Sequence, residues 1–185
     1  MLPESKMNQL ISFSILLFTV ASSAHAATPS PYVGQETRGI KALSETEVSD
    51  YLAGRGMGLA KAAELNRYPG PRHVLELAAE LLLSADQRQQ VEAIHSAMQT
   101  RAIRIGERLL AKERELDRSF SAAEIAEKSL KEIVTEIARL QGELRYVHLQ
   151  AHLAVRPVLT AHQLARYDAL RGYATKDDTT RPHSH

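Results

Sequence analysis

The chain has 185 residues and no cysteine, and its 23 Lys and Arg residues are balanced by 22 Asp and Glu residues. Without cysteine, disulfides and every thiol-based zinc, redox or nucleophile site are excluded. The balanced charge gives no general reason to expect nucleic acid or a lipid surface as a partner. Only 5% of the residues are aromatic, and Ala, Leu, Glu, Arg and Gln dominate. These are strong helix formers, so we predict an all-α protein.

The N-terminus has the pattern of an export signal. Lys6 precedes an apolar run from Leu10 to Ala21, and Ala24-His25-Ala26 then fits the small-x-small rule for signal peptidase. We therefore predict a signal peptide over residues 1–26, cleaved near Ala26/Ala27, and a soluble periplasmic protein. The apolar run is shorter than the ~20 residues that span a bilayer, so an uncleaved membrane anchor is the less favoured alternative.

The remaining chain is expected to form a single domain over residues 44–173. Residues 27–43 contain Pro and Gly without apolar periodicity, which predicts a flexible N-terminal arm, and the polar residues 174–185 predict a disordered tail. Ser44 to Glu47 has the form of a capping box that opens a short helix. Pro71 suits the first position of a further helix that continues to Leu83.

Two long helices are predicted next. Residues 85–118 carry apolar residues at spacings of three, four and seven, as a long amphipathic helix does. From Leu130 to Val158 the apolar residues follow a 3.5-residue repeat, which is typical of a coiled-coil seam. Ser121 to Glu124 has the form of a capping box between them, and Thr160 caps a last helix to about Tyr173. The pattern predicts a long antiparallel helical hairpin with short flanking helices.

Two segments are near copies of each other, Leu83-Ser84-Ala85-Asp86-Gln87 and Leu159-Thr160-Ala161-His162-Gln163. Either one alone is an ordinary capping box. Two L-[ST]-x-x-Q motifs in a small exported helical chain resemble the LTxxQ family of bacterial periplasmic stress proteins that includes Spy and CpxP, and the related heavy-metal resistance sensors. The resemblance covers about residues 70–173 and implies a helical hairpin that pairs into a curved homodimer.

Classical catalysis has little support in the sequence. His148 and His152 have the spacing of a zinc protease helix, but Leu149 stands where that mechanism needs a Glu base. The segment from Gly54 to Gly58 lacks the preceding strand that a dinucleotide-binding loop requires. We therefore expect that the protein is not an enzyme.

The same histidine pair is the clearest candidate for a metal site. Residues four apart lie on one face of a helix, within reach of a single ion. With the hairpin turn near residue 121, Glu92 lies opposite residue 150, between His148 and His152, and His95 lies at the margin. The alternative interpretation is that both histidines are solvated or packed polar residues.

The family resemblance adds ligands to this site. In the nickel and cobalt resistance sensors, a Glu after the first motif and a His before the second bind the metal, and Glu92 and His148 match them by position. His73 is the candidate ligand from the preceding segment. The chain departs from the pattern at His152, where the sensors have Met, and in having a single His in the preceding segment. The ligand set suits divalent nickel, cobalt, zinc or copper.

A second candidate function depends on a surface of the first long helix. Its members are basic and apolar residues at helical spacing: Arg101, Arg104, Arg108, Lys112, Met98 and Ile105. In Spy and CpxP such a face holds unfolded client proteins without ATP; the alternative is a solvated face balanced by nearby Glu residues. The sequence thus predicts a stress or resistance protein that senses or buffers a divalent metal, alternatively an ATP-independent chaperone, with unfolded clients or an inner-membrane signalling protein as partners.

Overall fold

The computed structural model describes residues 28–173, and the described residues form helices and turns without a strand. The all-α prediction is confirmed. The helices are α1 (Glu45–Leu52), α2 (Lys61–Glu64), α3 (Pro71–Glu76), α4 (Ala85–Ser121), α5 (Glu127–Val155) and α6 (Ala161–Leu170), with a 3-10 turn at Arg156–Val158. The predicted signal peptide and the predicted tail at 174–185 lie outside the described residues.

The chain divides after Val33 into two compact units. In the first, residues 28–33 contain a turn in which the Val33 amide donates to the Ser30 carbonyl at 3.2 Å. The second unit begins at Gly34 and contains the six α-helices found within residues 28–173. None of the helices within residues 28–173 combines the length and the hydropathy needed to cross a membrane.

The long helices α4 and α5 pack against each other and run in opposite directions. Near the start of α4, Gln87 donates to the Val158 carbonyl at 2.8 Å, just beyond the end of α5. Further along α4, Arg108 lies 3.4 Å from Glu136, in the first third of α5. The interface between them is apolar and contains Leu109, Ile137, Leu140 and Leu144, all nearly inaccessible to solvent.

The two L-[ST]-x-x-Q motifs are hydrogen-bonded to each other. Capping boxes form at Ser44, Ser84 and Thr160, all as predicted. The Gln87 and Gln163 side chains then donate to each other, at 2.8 and 3.0 Å, and Gln163 also donates to the Leu81 carbonyl at 3.2 Å. Because each Gln oxygen also accepts from its own cap, the two helix starts are joined by a fully paired polar contact.

Three local predictions were wrong. The Ser121 capping box does not form, because α4 continues through Ser121 and its hydroxyl donates to the Asp117 carbonyl; α5 starts at Glu127 without a side-chain cap. The helix at Pro71 ends at Glu76 rather than at Leu83, and turns follow up to the left-handed Leu82. On α5 the predicted 3.5-residue repeat would put Ala154 in the seam after Ala151, but Ala154 is exposed and Val155 is buried instead.

Part of the segment predicted as a flexible arm packs on the helices. Ile40 is buried, and the Lys41 ammonium lies 3.1 Å from Asp117, near the end of α4. Further along the chain, α1 lies very close to α4 at Gly106. A Cβ added at Gly106 would lie only 2.5 Å from the Tyr51 carbonyl oxygen, so only glycine allows this approach. These contacts cover one face of α4 with the N-terminal elements and place the loop after α1 beside α5.

Candidate functional site

A cavity of about 730 Å³ lies between the loop after α1, the start of α3 and the facing sides of α4 and α5. Its lining collects most of the imidazole and thioether side chains of the described residues. Four of the five histidines and both methionines between residues 28 and 173 contribute to it: His73, His95, His148, His152, Met57 and Met98. The sequence analysis grouped the four histidines, but no charge pattern or motif predicts that Met57 and Met98 share their cavity.

His148 is the most buried of these side chains, with 3% of its surface exposed. Its Nε2 is buried and, among residues 28–173, has no hydrogen-bond partner. Its Nδ1 is directed towards Gly56 and would lie 3.9 Å from a Cβ added there. Burial, and secondarily the nearby His152, lowers the pKa of His148 to about 4. The ring is therefore neutral at neutral pH and keeps a lone pair for a ligand.

His152 lies one turn later on α5 and has a fixed orientation. Its Nδ1 is 2.7 Å from the Tyr68 carbonyl oxygen, which can only accept, so Nδ1 carries the hydrogen and Nε2 carries the lone pair. The ring packs so tightly against Gly70 that an added Cβ would lie 3.0 Å from Nε2. A backbone carbonyl that orients the second ring nitrogen is also typical of histidines that bind metals.

Glu64 is the carboxylate beside His152, and the sequence analysis missed it. Its Oε2 lies 3.8 Å from Nδ1 of His152 and accepts a hydrogen bond from the Gly70 amide at 3.1 Å. Its other oxygen accepts from the buried Tyr167 hydroxyl at 2.5 Å. Burial, and then this bond, raises the pKa of Tyr167. Glu64 thus connects the cavity with α6, a contact that no local pattern indicates.

His73, the candidate ligand from the preceding segment, lies in α3 and lines the same cavity. Its Nδ1 lies 2.9 Å from a Glu76 carboxylate oxygen, and bonds from His73 and Arg72 lower the pKa of Glu76. With Nδ1 bonded to a carboxylate, the lone pair of His73 is on Nε2. His95, placed at the margin by the sequence, also lines the cavity.

Glu92 does not join the histidines. It is exposed on α4 and does not line the cavity. The predicted register placed it opposite residue 150, whereas the bonds from Gln87 to Val158 and from Arg108 to Glu136 place it opposite about residue 153. The carboxylates that do line the cavity are Asp50 and Glu64.

The loop from Gly54 to Gly58 forms one wall of the cavity. Its backbone is left-handed at Gly54, Met57 and Gly58, with φ of 63°, 46° and 77°. Glycine adopts this region readily, whereas for a residue with a side chain this backbone conformation costs about 1–2 kcal/mol of free energy. A Cβ on Gly54 would also lie 3.1 Å from the Gln99 carbonyl oxygen, so the loop lies directly on α4. Met57 is therefore the strained residue of the loop.

The basic and apolar surface predicted on α4 does not form one face. Its apolar members Met98 and Ile105 pack against the buried Ala102, Leu144 and Val147, while Arg104 is exposed. The other basic residues have polar partners: Arg101 with Gln150 at 2.7 Å, Arg108 with Glu136 at 3.4 Å and Lys112 with Glu115 at 2.6 Å. The charges are thus partly paired, and the apolar side chains point into the core.

Within residues 28–173, no three His, Asp or Glu side chains lie close enough together to hold a metal ion without moving. The histidines surround the cavity without converging on one point. Comparison with known proteins adds no further constraint, because no family model, no curated protein and no solved structure matches this chain.

Proposed function

We propose that this protein is a periplasmic stress or resistance protein that senses or buffers a divalent transition metal, without catalysis. The observation that carries the proposal is the concentration of histidines around one cavity, with His73 and His152 each bonded through Nδ1 to an oxygen. This arrangement leaves Nε2 of both rings as the metal-binding atom. The buried, unpartnered Nε2 of His148 adds a third imidazole that gains a partner only by moving.

The ion would be held by His73, His148 and His152, with Glu64 as the carboxylate in place of Glu92. Imidazole and carboxylate suit nickel, cobalt, zinc and copper(II) alike. Since the histidines do not converge, binding has to draw α3 and the α4–α5 pair closer together. Such a movement is what a sensor needs, because it couples metal occupancy to the shape that a signalling partner contacts.

The test is a calorimetric titration of the metal-free protein at pH 7.5 with nickel, cobalt, zinc and copper(II). We expect one tight site, weakened about tenfold or more by His148→Ala or His152→Ala. His162→Ala is the matched control, because His162 is exposed on α6 and outside the cavity. His183→Ala and His185→Ala, beyond the described residues, should also change little. Absence of a tight site, or binding carried by the control histidines, would refute the proposal.

An ATP-independent chaperone is the second candidate, and exposed apolar residues favour it. Val134, Tyr146 and Leu153 are exposed on the side of α5 that faces away from the core. Either unfolded clients or a second subunit could cover them, and we propose that the long hairpin pairs into a curved homodimer. Suppression of client aggregation in EDTA, lost in Tyr146→Gln and Leu153→Gln, would favour the chaperone. Light scattering that returns only monomer at micromolar concentration would exclude the dimer.

A further inference from the structure

The cavity is lined by methionine as well as histidine. Within residues 28–173 the chain has only Met57 and Met98, and both line the cavity with the histidines. Methionine in a core is commonly a gap filler. That explanation fits Met98, which packs beside Ala102 and Val147, but it does not fit Met57, which is 37% exposed.

Met57 also occupies a position that disfavours its side chain. Its φ of 46° lies in the left-handed region, and Gly56 and Gly58 on either side show that the loop uses glycine freely. Glycine at position 57 would remove the strain. Strained residues persist where the surrounding structure holds them, and they cluster at ligand-binding positions. Met57 lines the cavity, and unlike glycine it brings a soft sulfur ligand to that position.

The helix register and the loop after α1 relate Met57 and Met98 to His148. The bonds from Gln87 to Val158 and from Arg108 to Glu136 set the register of α4 against α5. In this register the α4 turn that holds His95 and Met98 lies beside His148. Gly56, next to Met57, faces Nδ1 of His148. Met57 and Met98 are therefore the methionines nearest to His148 along the cavity wall, one on the loop after α1 and one on α4.

We propose that this part of the cavity binds monovalent copper through Met57, Met98 and His148. Thioether sulfur is a soft ligand that selects Cu(I), whereas nickel, cobalt and zinc prefer imidazole and carboxylate. Cu(I) is also satisfied by fewer ligands than a divalent ion, so it does not need three converging His, Asp or Glu side chains. The inference rests on the proposed use of the cavity for metal binding and adds a second, softer class of ion.

The experiment is an anaerobic competition between the full chain and the chromophoric chelator bicinchoninate for Cu(I), with a parallel Zn(II) titration. Met98→Leu should lower the Cu(I) affinity at least tenfold and leave the Zn(II) affinity unchanged, because Leu replaces the volume but not the sulfur. Met57→Gly should do the same while relieving the strained backbone, and its unchanged Zn(II) affinity would show that the variant is folded. X-ray absorption of the wild-type complex should show sulfur bound to copper.

The outcomes separate the two proposals. Wild-type Cu(I) affinity in both methionine variants, or copper bound to nitrogen and oxygen alone, would overturn the Cu(I) site even if Zn(II) binds. Failure of the wild-type chain to bind either ion would remove the proposed function together with this site. Loss of Cu(I) binding in Met57→Gly and Met98→Leu, with Zn(II) still bound, supports both.

Discussion

Acidification should destabilise the folded protein through His148 more than through any exposed histidine. In the unfolded chain the ring has a pKa near 6.5, and in the fold burial lowers the pKa to about 4. Between these pH values His148 is protonated in the unfolded chain but not in the folded chain. The free energy of unfolding therefore decreases as the pH falls from 6.5 towards 4. The full difference corresponds to about 3 kcal/mol, of which about 2 kcal/mol is lost by pH 5.

Urea unfolding at pH 7.5 and pH 5, with EDTA to remove metal, measures this loss. Carboxylates elsewhere also respond to pH, so the comparison is made with His148→Leu, which keeps an apolar group in the buried site. We expect the wild type to lose about 2 kcal/mol more than His148→Leu between the two pH values. His162→Gln, at an exposed position, should behave like the wild type. Equal losses in the wild type and His148→Leu would mean that His148 is not buried in the neutral form.

Two further predictions concern stability. Gln163→Ala should cost about 3 kcal/mol in urea unfolding, because it leaves Gln87 and a buried carbonyl without their partner; a loss below about 1 kcal/mol would contradict the interlocked caps. Gly106→Ala should destabilise by about 1–3 kcal/mol, because its Cβ would lie 2.5 Å from the Tyr51 carbonyl oxygen. Gly142→Ala, on the open side of α5, should instead stabilise the fold by up to about 1 kcal/mol. Equal melting temperatures for Gly106→Ala and Gly142→Ala would contradict both glycine predictions.

Local features of the fold were predictable and long-range ones were not. The caps at Ser84 and Thr160 follow from a hydroxyl residue and a Gln three positions later, so the sequence contains all that the cap needs. The bond between Gln87 and Gln163 joins residues 76 positions apart, and no local pattern predicts it. On α5 the 3.5-residue repeat holds up to Ala151 and then fails, with Val155 buried. A straight helix has 3.6 residues per turn, so its buried face drifts away from a strict heptad.

The same distinction applies to the candidate site. The pairing of His148 with His152 was predictable because four residues along a helix return to the same face. The placement of Glu92 failed because it depended on a register extrapolated from the turn, and the Glu92 side chain lies on the exposed side of α4. Gly54 and Gly70 look in the sequence like turn residues only. In the fold they allow backbone to lie directly against Gln99 and the His152 ring, and this close approach brings the loop and α3 to the cavity.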